Sequence, residues 1–168
     1  AFAGCESLKE ITIPASVTSI GEGAFESCKS LEEITIPKYV KSIGYSAFNA
    51  CEKLERVSFA VGSELEIIGR EAFQYCKSLK EITIPASVKS IGYNAFYKCE
   101  NLDKVTFAGK KSNIDIHYTA FNGCDKLGSH RPNEASNPII SEGTSSPSIN
   151  ASSPSGNYNS DNIQELNV

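Results

Sequence analysis

Six cysteines are the residues of this 168-residue chain with the widest choice of chemistry, since thiols form disulfides, bind metals and act as nucleophiles. They recur at intervals of 23 or 25 residues: Cys5, Cys28, Cys51, Cys76, Cys99 and Cys124. If each repeat forms one coil of a stack, neighbouring cysteines lie about 4.8 Å apart, whereas a disulfide needs Cβ atoms roughly 3.5–4.5 Å apart. We therefore predict a column of buried free thiols. A metal site is not expected, because no Cys-x-x-Cys pair occurs and thiols arranged in a line cannot give tetrahedral coordination.

Two histidines, His117 and His130, are the remaining candidates for nucleophile activation, and neither has a serine, cysteine or carboxylate partner in a triad-like arrangement. No Gly-x-Ser-x-Gly, phosphate-loop or His-Glu-x-x-His motif occurs. The acidic residues recur with the repeat, which indicates solvent-facing positions and not a catalytic carboxylate pair. We therefore expect no enzyme activity, no cofactor and no catalytic, cofactor-binding or metal-binding residue.

The cysteines belong to a repeat that covers most of the chain, and a repeat of this length is typical of a solenoid. The unit reads Ala-Phe-x-x-Cys-x-x-Leu-x-x-[Ile/Val]-[Thr/Ser]-[Ile/Phe]-Pro-x-x-Val-x-x-Ile-Gly. The phenylalanines mark six copies in phase: Phe2, Phe25, Phe48, Phe73, Phe96 and Phe121.

Each part of the unit predicts one side of a coil. Leu-x-x-Ile-x-Ile alternates and is rich in β-branched residues, which favours a short strand, and proline ends that strand because it cannot donate to a ladder. The Val-x-x-Ile pair indicates a second short extended side. The glycine indicates a corner with positive φ or close packing. The Ala-Phe-x-x-Cys segment indicates one turn of α or 3-10 helix. One unit cannot bury its apolar residues alone, so the coils must stack with like residues over like.

This unit resembles the leucine-rich repeats of the BspA-like type, which occur in surface proteins of anaerobic bacteria, among them Bacteroides and Treponema, and of protists such as trichomonads. The resemblance covers residues 1–128, about three quarters of the chain. It implies a curved, right-handed, mainly β solenoid with the Leu-x-x-Ile-x-Ile strands in a parallel sheet on one face. It also implies a role in adhesion and protein binding.

Two coils depart from the pattern. In the third and fifth coils Ala60 and Ala108 replace the proline, and each of these coils carries two extra residues. In the last coil His117 stands where the corner glycine belongs.

Residues 1–128 are predicted to form about five coils of 23–25 residues, and residues 129–168 a tail with ten serines and seven asparagines. Such a tail cannot bury enough apolar surface to offset its ordering entropy. Within it, Asn150 begins an Asn-x-Ser sequence that predicts N-glycosylation in a secretory setting.

The charge and the apolar pattern exclude two kinds of partner. The chain has 16 basic and 20 acidic residues and a net charge of −4, so no basic excess drives nucleic-acid binding. No stretch of 18 or more apolar residues is present, so no membrane span is expected.

Candidate ligand-binding residues come from outward-facing columns. Tyr45, Tyr93 and Tyr118 share the position after the corner glycine, with Arg70 in the coil between the first two, and Arg56 stands on the outward face of a strand. These tyrosines either shield the edge of the core or form an amphipathic stripe for a partner, since tyrosine gives rigid contact area at low entropic cost.

The function expected from these features is non-enzymatic binding of a protein or glycan ligand, outside the cell or on its surface. The alternative is a structural subunit. The chain begins in mid-unit without a polar cap, so a second copy could stack on that edge and build a filament on which the tail docks.

Overall fold

The computed structural model describes residues 1–132, which form a stack of coils; the predicted tail beyond this point and its Asn150 sequon lie outside the described residues. Two sides of each coil are extended and the third is a pair of turns. After the last coil, two 3-10 turns lie within Asp125–His130, separated by a kink at Gly128, whose φ of 53° is not helical.

The second extended side of the coils forms the longest sheet. Its five two-residue strands, all parallel and in coil order, are β1 Ser19–Ile20, β3 Ser42–Ile43, β5 Ile67–Ile68, β7 Ser90–Ile91 and β9 Asp115–Ile116. The isoleucine that ends β1, β3, β5 and β7 is buried in the core, and the residue before it is at least partly exposed.

The Leu-x-x-Ile-x-Ile side forms four-residue strands in four coils, as predicted: β2 Glu33–Ile36, β4 Arg56–Phe59, β6 Glu81–Ile84 and β8 Lys104–Phe107. In the first coil the same segment, residues 8–13, is not a strand. They do not join into one sheet. Among the described residues β2 pairs with β4 and β6 pairs with β8, both in parallel, and no ladder joins β4 to β6.

The residue that follows each strand accounts for this pairing. Ala60 donates its N–H to the carbonyl oxygen of Ile36 at 3.0 Å, and Ala108 donates to that of Ile84 at 2.9 Å. Pro85 follows β6 and has no N–H to donate to β4. A strand therefore joins the preceding one where its coil carries alanine in place of proline.

The Ala-Phe-x-x-Cys side consists of consecutive turns, with no helix among the described residues of this motif. Here the hydrogen bonds run from each coil to the next: the N–H of Phe25 donates to the carbonyl oxygen of Ala47 at 2.7 Å. On the strand sides they run the other way, as from Gly44 N–H to Ile20 O at 2.8 Å. Each junction between coils is thus held by bonds of both directions.

The phenylalanines form a column through the core, which confirms the prediction of like residues over like. Successive rings from Phe2 to Phe121 are nearly parallel, with interplanar angles of 3–8° and centroid distances of 5.0–5.4 Å. Phe48, Phe73, Phe96 and Phe121 have no exposed surface, whereas Phe2 is 40% exposed.

The cysteines form a second column beside the rings; all six are free and five are buried, as predicted, whereas Cys5 in the first coil is exposed. Each buried thiol donates to the carbonyl oxygen of the phenylalanine in the preceding coil, as from Cys51 to Phe25 at 3.1 Å and from Cys99 to Phe73 at 3.1 Å. Burial raises the pKa of Cys51 to about 12 and also raises the pKa of Cys76 and Cys99. These thiols are therefore protonated structural links between coils.

Candidate functional site

The tyrosines at the position after the corner lie in one line on the surface of the coil stack, together with two polar neighbours. We call these residues the aromatic stripe: Tyr45, Arg70, Tyr93, His117 and Tyr118. Tyr45 is 43% exposed, Tyr93 39% and Tyr118 74%, although each carries a large apolar ring. The stripe is therefore an exposed aromatic surface and not a part of the core.

Hydrogen bonds between the backbones of successive coils set the spacing of the stripe. The carbonyl oxygens of Tyr45, Arg70 and Tyr93 each accept an N–H from the coil before, at 2.9, 3.0 and 2.9 Å. The glycine that precedes Arg70 permits this close approach, because a Cβ on Gly69 would lie 2.6 Å from the carbonyl oxygen of Ile43. Close packing is thus the reason for glycine at this corner.

The guanidinium group of Arg70 lies between two tyrosine rings. Its Cζ atom is 5.7 Å from the ring centroid of Tyr45 and 4.8 Å from that of Tyr93, both within cation–π range. Nε donates to Glu71 Oε1 at 3.0 Å, and the side chain of Glu71 is only 14% exposed. Ser46 Oγ donates to the second carboxylate oxygen at 3.5 Å. The hydrogen bond to Glu71 also raises the pKa of Arg70, so the guanidinium is charged and fixed in place.

His117 continues the stripe towards the last coil. Its ring meets that of Tyr93 edge to face, with centroids 5.2 Å apart, and stacks on that of Tyr118 at 4.5 Å. In the earlier coils the equivalent residue is glycine, and His117 still makes the backbone bond of that position, from its N–H to the carbonyl oxygen of Ile91 at 2.9 Å. The last coil thus keeps this hydrogen bond although it carries a side chain where the earlier coils have glycine.

Thr119 determines which tautomer the neutral His117 ring adopts. The backbone N–H of Thr119 donates to His117 Nδ1 at 3.2 Å, so Nδ1 is an acceptor and the proton of the neutral ring is on Nε2. The Thr119 hydroxyl lies 2.9 Å from the same nitrogen and accepts the N–H of Asn94 at 3.2 Å. With this tautomer the hydroxyl donates to Nδ1, and its role is to position the ring.

Arg56 is separate from the aromatic stripe. It lies on β4 and donates to Glu33 on β2 at 2.7 Å, with both side chains well exposed. It lines a groove of about 910 Å³ between β4 and β6, the strands that no ladder joins, and Lys80 crosses this groove to Glu55 at 3.3 Å. Of the predicted ligand-binding residues, the structure brings together Tyr45, Arg70, Tyr93 and Tyr118, and it places Arg56 on another face.

Sequence reasoning missed three residues that organise the stripe. His117 was considered as a catalytic group and as a replacement for the corner glycine, but not as a neighbour of the tyrosines, and Glu71 and Thr119 were not considered at all. The useful signal was the departure of His117 from the glycine of the repeat, beside a column of tyrosines.

Coils of 23–25 residues, in which a buried leucine lies two residues before each four-residue strand and the strands pair in parallel, define a leucine-rich-repeat solenoid. The chain belongs to the BspA type of this class, because the BspA type leucine rich repeat region matches it in six copies over residues 1–131.

Two solved structures show the same fold. A leucine-rich repeat protein from Bacteroides ovatus is 42% identical, with a TM-score of 0.65 over 75% of this chain and 32% of its own. The T. pallidum leucine rich repeat protein TpLRR is 29% identical, with a TM-score of 0.66 over 75% of this chain and 57% of its own. The chain therefore spans only about a third and just over half of these two proteins. No curated protein matches it.

Residues 1–132 contain no helix with the length and apolar character that crossing a bilayer requires.

Proposed function

We propose that the chain is a non-enzymatic binding module for a protein partner, outside the cell or on its surface, and that the aromatic stripe makes the central contact. The observation that carries this proposal is the exposed guanidinium of Arg70 held between Tyr45 and Tyr93. Adhesion is the cellular role that this binding would serve, in keeping with the BspA-type family.

The composition and rigidity of the stripe support a role in binding. Tyrosine and arginine are enriched at the residues that dominate the affinity of protein interfaces. The stacking of Arg70, its bond to Glu71 and the bonds of Thr119 to His117 hold these side chains in place before a partner arrives. Such preorganisation lowers the entropy that a side chain loses on binding.

The test measures binding of the fluorescently labelled full chain to an array of extracellular and cell-surface proteins. We compare the wild type with the triple variant Tyr45/Tyr93/Tyr118→Ser. The proposal predicts that every interaction of the wild type weakens by at least about tenfold in the triple variant.

A second triple variant, Tyr39/Tyr75/Tyr97→Ser, is the matched control, because it removes three tyrosines that lie outside the stripe. It should bind like the wild type, and melting curves of both variants should show that they are folded. Equal binding by the stripe variant and the wild type would contradict the proposal. Loss of binding after the array proteins are deglycosylated would show a glycan partner instead.

A further inference from the structure

We infer that the aromatic stripe recognises an acidic segment of its partner in polyproline II conformation, with two carboxylates three residues apart. This inference rests on the proposed function and deepens it by naming the chemistry of the partner. It is carried by the hydrogen-bonding groups that Arg70 and His117 leave for a ligand.

Arg70 supplies the first donor site. A guanidinium has five N–H groups, and within the described residues the only hydrogen bond that the side chain of Arg70 makes is from Nε to Glu71. The side chain of Arg70 is 61% exposed, so the remaining N–H groups face solvent. A carboxylate is the acceptor that matches the fork geometry of a guanidinium best.

His117 supplies the second donor site. Thr119 occupies Nδ1, so the N–H on Nε2 is the group that this ring offers. Nε2 is not among the buried polar atoms without a partner within residues 1–132, and none of the described hydrogen bonds uses it. It therefore reaches solvent as a donor.

The carboxylate beside Arg70 does not compete as an acceptor, because Glu71 is largely buried and already accepts from Arg70 and Ser46. Glu22 occupies the position after the corner one coil before Tyr45, at the opposite end of this column from His117. A ligand with hydrogen-bond acceptors can bond to the free N–H groups of the stripe, whereas a cationic ligand would be repelled by the positive charge of Arg70.

The distance between the two donor sites sets the spacing in the ligand. Arg70 and His117 are two coils apart with Tyr93 between them, which corresponds to about 10 Å at a coil spacing of about 4.8 Å. In a polyproline II helix, which has three residues per turn and a rise of about 3.1 Å per residue, side chains at positions i and i+3 lie on the same side, about 9 Å apart. Carboxylates at these positions therefore reach both donors when such a peptide runs along the solenoid axis.

The stacking within the stripe favours a peptide over a sugar. Sugars bind tyrosine by stacking on an open ring face, but Arg70 covers one face of Tyr93 and one of Tyr45, and His117 stacks on Tyr118. The ring faces that Arg70 and His117 cover are therefore closed to a sugar.

The test uses the full chain and three fluorescent 12-residue peptides in a glycine–serine host. The first has two glutamates at i and i+3, the second has glutamines at these positions, and the third has the two glutamates adjacent. Fluorescence anisotropy should show that the first peptide binds about tenfold more tightly than the second, with the third in between. Arg70→Gln should abolish this preference, and His117→Phe, which keeps a stacked ring, should weaken binding of the first peptide several-fold.

Arg56→Gln is the control, since it removes an exposed arginine outside the stripe, and it should leave binding unchanged. The inference is overturned if the glutamine peptide binds as well as the first, if Arg70→Gln has no effect, or if none of the peptides binds. If an acidic oligosaccharide binds through Arg70 and the peptides do not, the partner is an anionic sugar and not a peptide. If Arg70→Gln keeps the array interactions that Tyr45/Tyr93/Tyr118→Ser loses, the proposed function stands and this inference fails.

Discussion

The backbone N–H of Ala60 donates to the carbonyl oxygen of Ile36 at 3.0 Å and closes the ladder between β2 and β4. At the equivalent place one coil later stands Pro85, and β4 and β6 remain apart. The choice between alanine and proline after a strand therefore decides whether that strand joins its predecessor.

Ala60→Pro should open the β2–β4 ladder. Proline occupies the same position after β2 and β6, so the backbone accepts its φ angle and the main loss is one hydrogen bond, worth about 1 kcal/mol of unfolding free energy. Amide hydrogen exchange should show faster exchange at Ser58, in the middle of β4. Pro85→Ala is the converse variant, and its new amide should become protected against exchange by bonding to Phe59 O. Unchanged exchange at Ser58 in Ala60→Pro would contradict this explanation of the pairing.

The buried thiols make the protein less stable in alkali. Burial raises the pKa of Cys51 from 9.0 to about 12, so the unfolded chain releases this proton at lower pH than the folded chain does. The stabilisation is complete below pH 9 and is lost as the pH rises towards 12, at about 1.4 kcal/mol per pH unit for this thiol. Urea unfolding of the wild type and Cys51→Ala between pH 8 and 11 measures this effect. The difference between the two proteins isolates Cys51 from the tyrosines and lysines, and parallel pH profiles would refute the assignment.

Ala50→Gly should stabilise the protein, or at least not destabilise it. Ala50 precedes a cysteine of the repeat and has a φ of 57°, a conformation that costs a residue with a Cβ about 1–2 kcal/mol and glycine almost nothing. The greater freedom of glycine in the unfolded chain offsets about 0.5–1 kcal/mol of this gain. Ala47→Gly in the same coil is the control: Ala47 is fully buried and is not in the positive-φ region, so this variant should lose about 1–2 kcal/mol. Thermal melts compare the two variants, and equal destabilisation would show that the turn conformation does not matter.

Phe73→Ala should be among the most damaging single changes. The ring is fully buried and stacks on Phe48 at 5.1 Å and on Phe96 at 5.3 Å, so truncation leaves a cavity in the middle of the column and costs about 3–5 kcal/mol. Phe2→Ala should cost much less, since Phe2 is 40% exposed and, within residues 1–132, stacks on Phe25 alone. Chemical denaturation measures both, and similar losses would mean that the column does not act as a packed core.

The repeat predicted the coils, the strands and the two columns correctly because each depends on one residue type at one repeat position. Ile34 and Ile36 face the core while Thr35 is exposed, as alternation requires. The division of the strands into pairs was missed because proline was read as the end of its own strand. Its effect on the neighbouring coil depends on which N–H groups face across the junction, as Ala60 and Pro85 show.

The aromatic stripe was predictable only in part, for a similar reason. A shared repeat position places Tyr45, Arg70 and Tyr93 side by side. Arg56 is separate from the stripe because it lies on a different side of the coil, and its residue type alone does not reveal on which side it lies. The role of His117 depends on a hydrogen bond to Thr119 within one turn, which no periodic pattern encodes.

The Ala-Phe-x-x-Cys side bonds every coil to the next in the same way, from Phe2 N–H at one end to Phe96 N–H at the other. If a coil were duplicated or deleted, the coils that become neighbours would still have matching donors and acceptors on this side. The gene can therefore lengthen or shorten this protein in whole units by recombination, and each added unit would extend the row of surface side chains by one place.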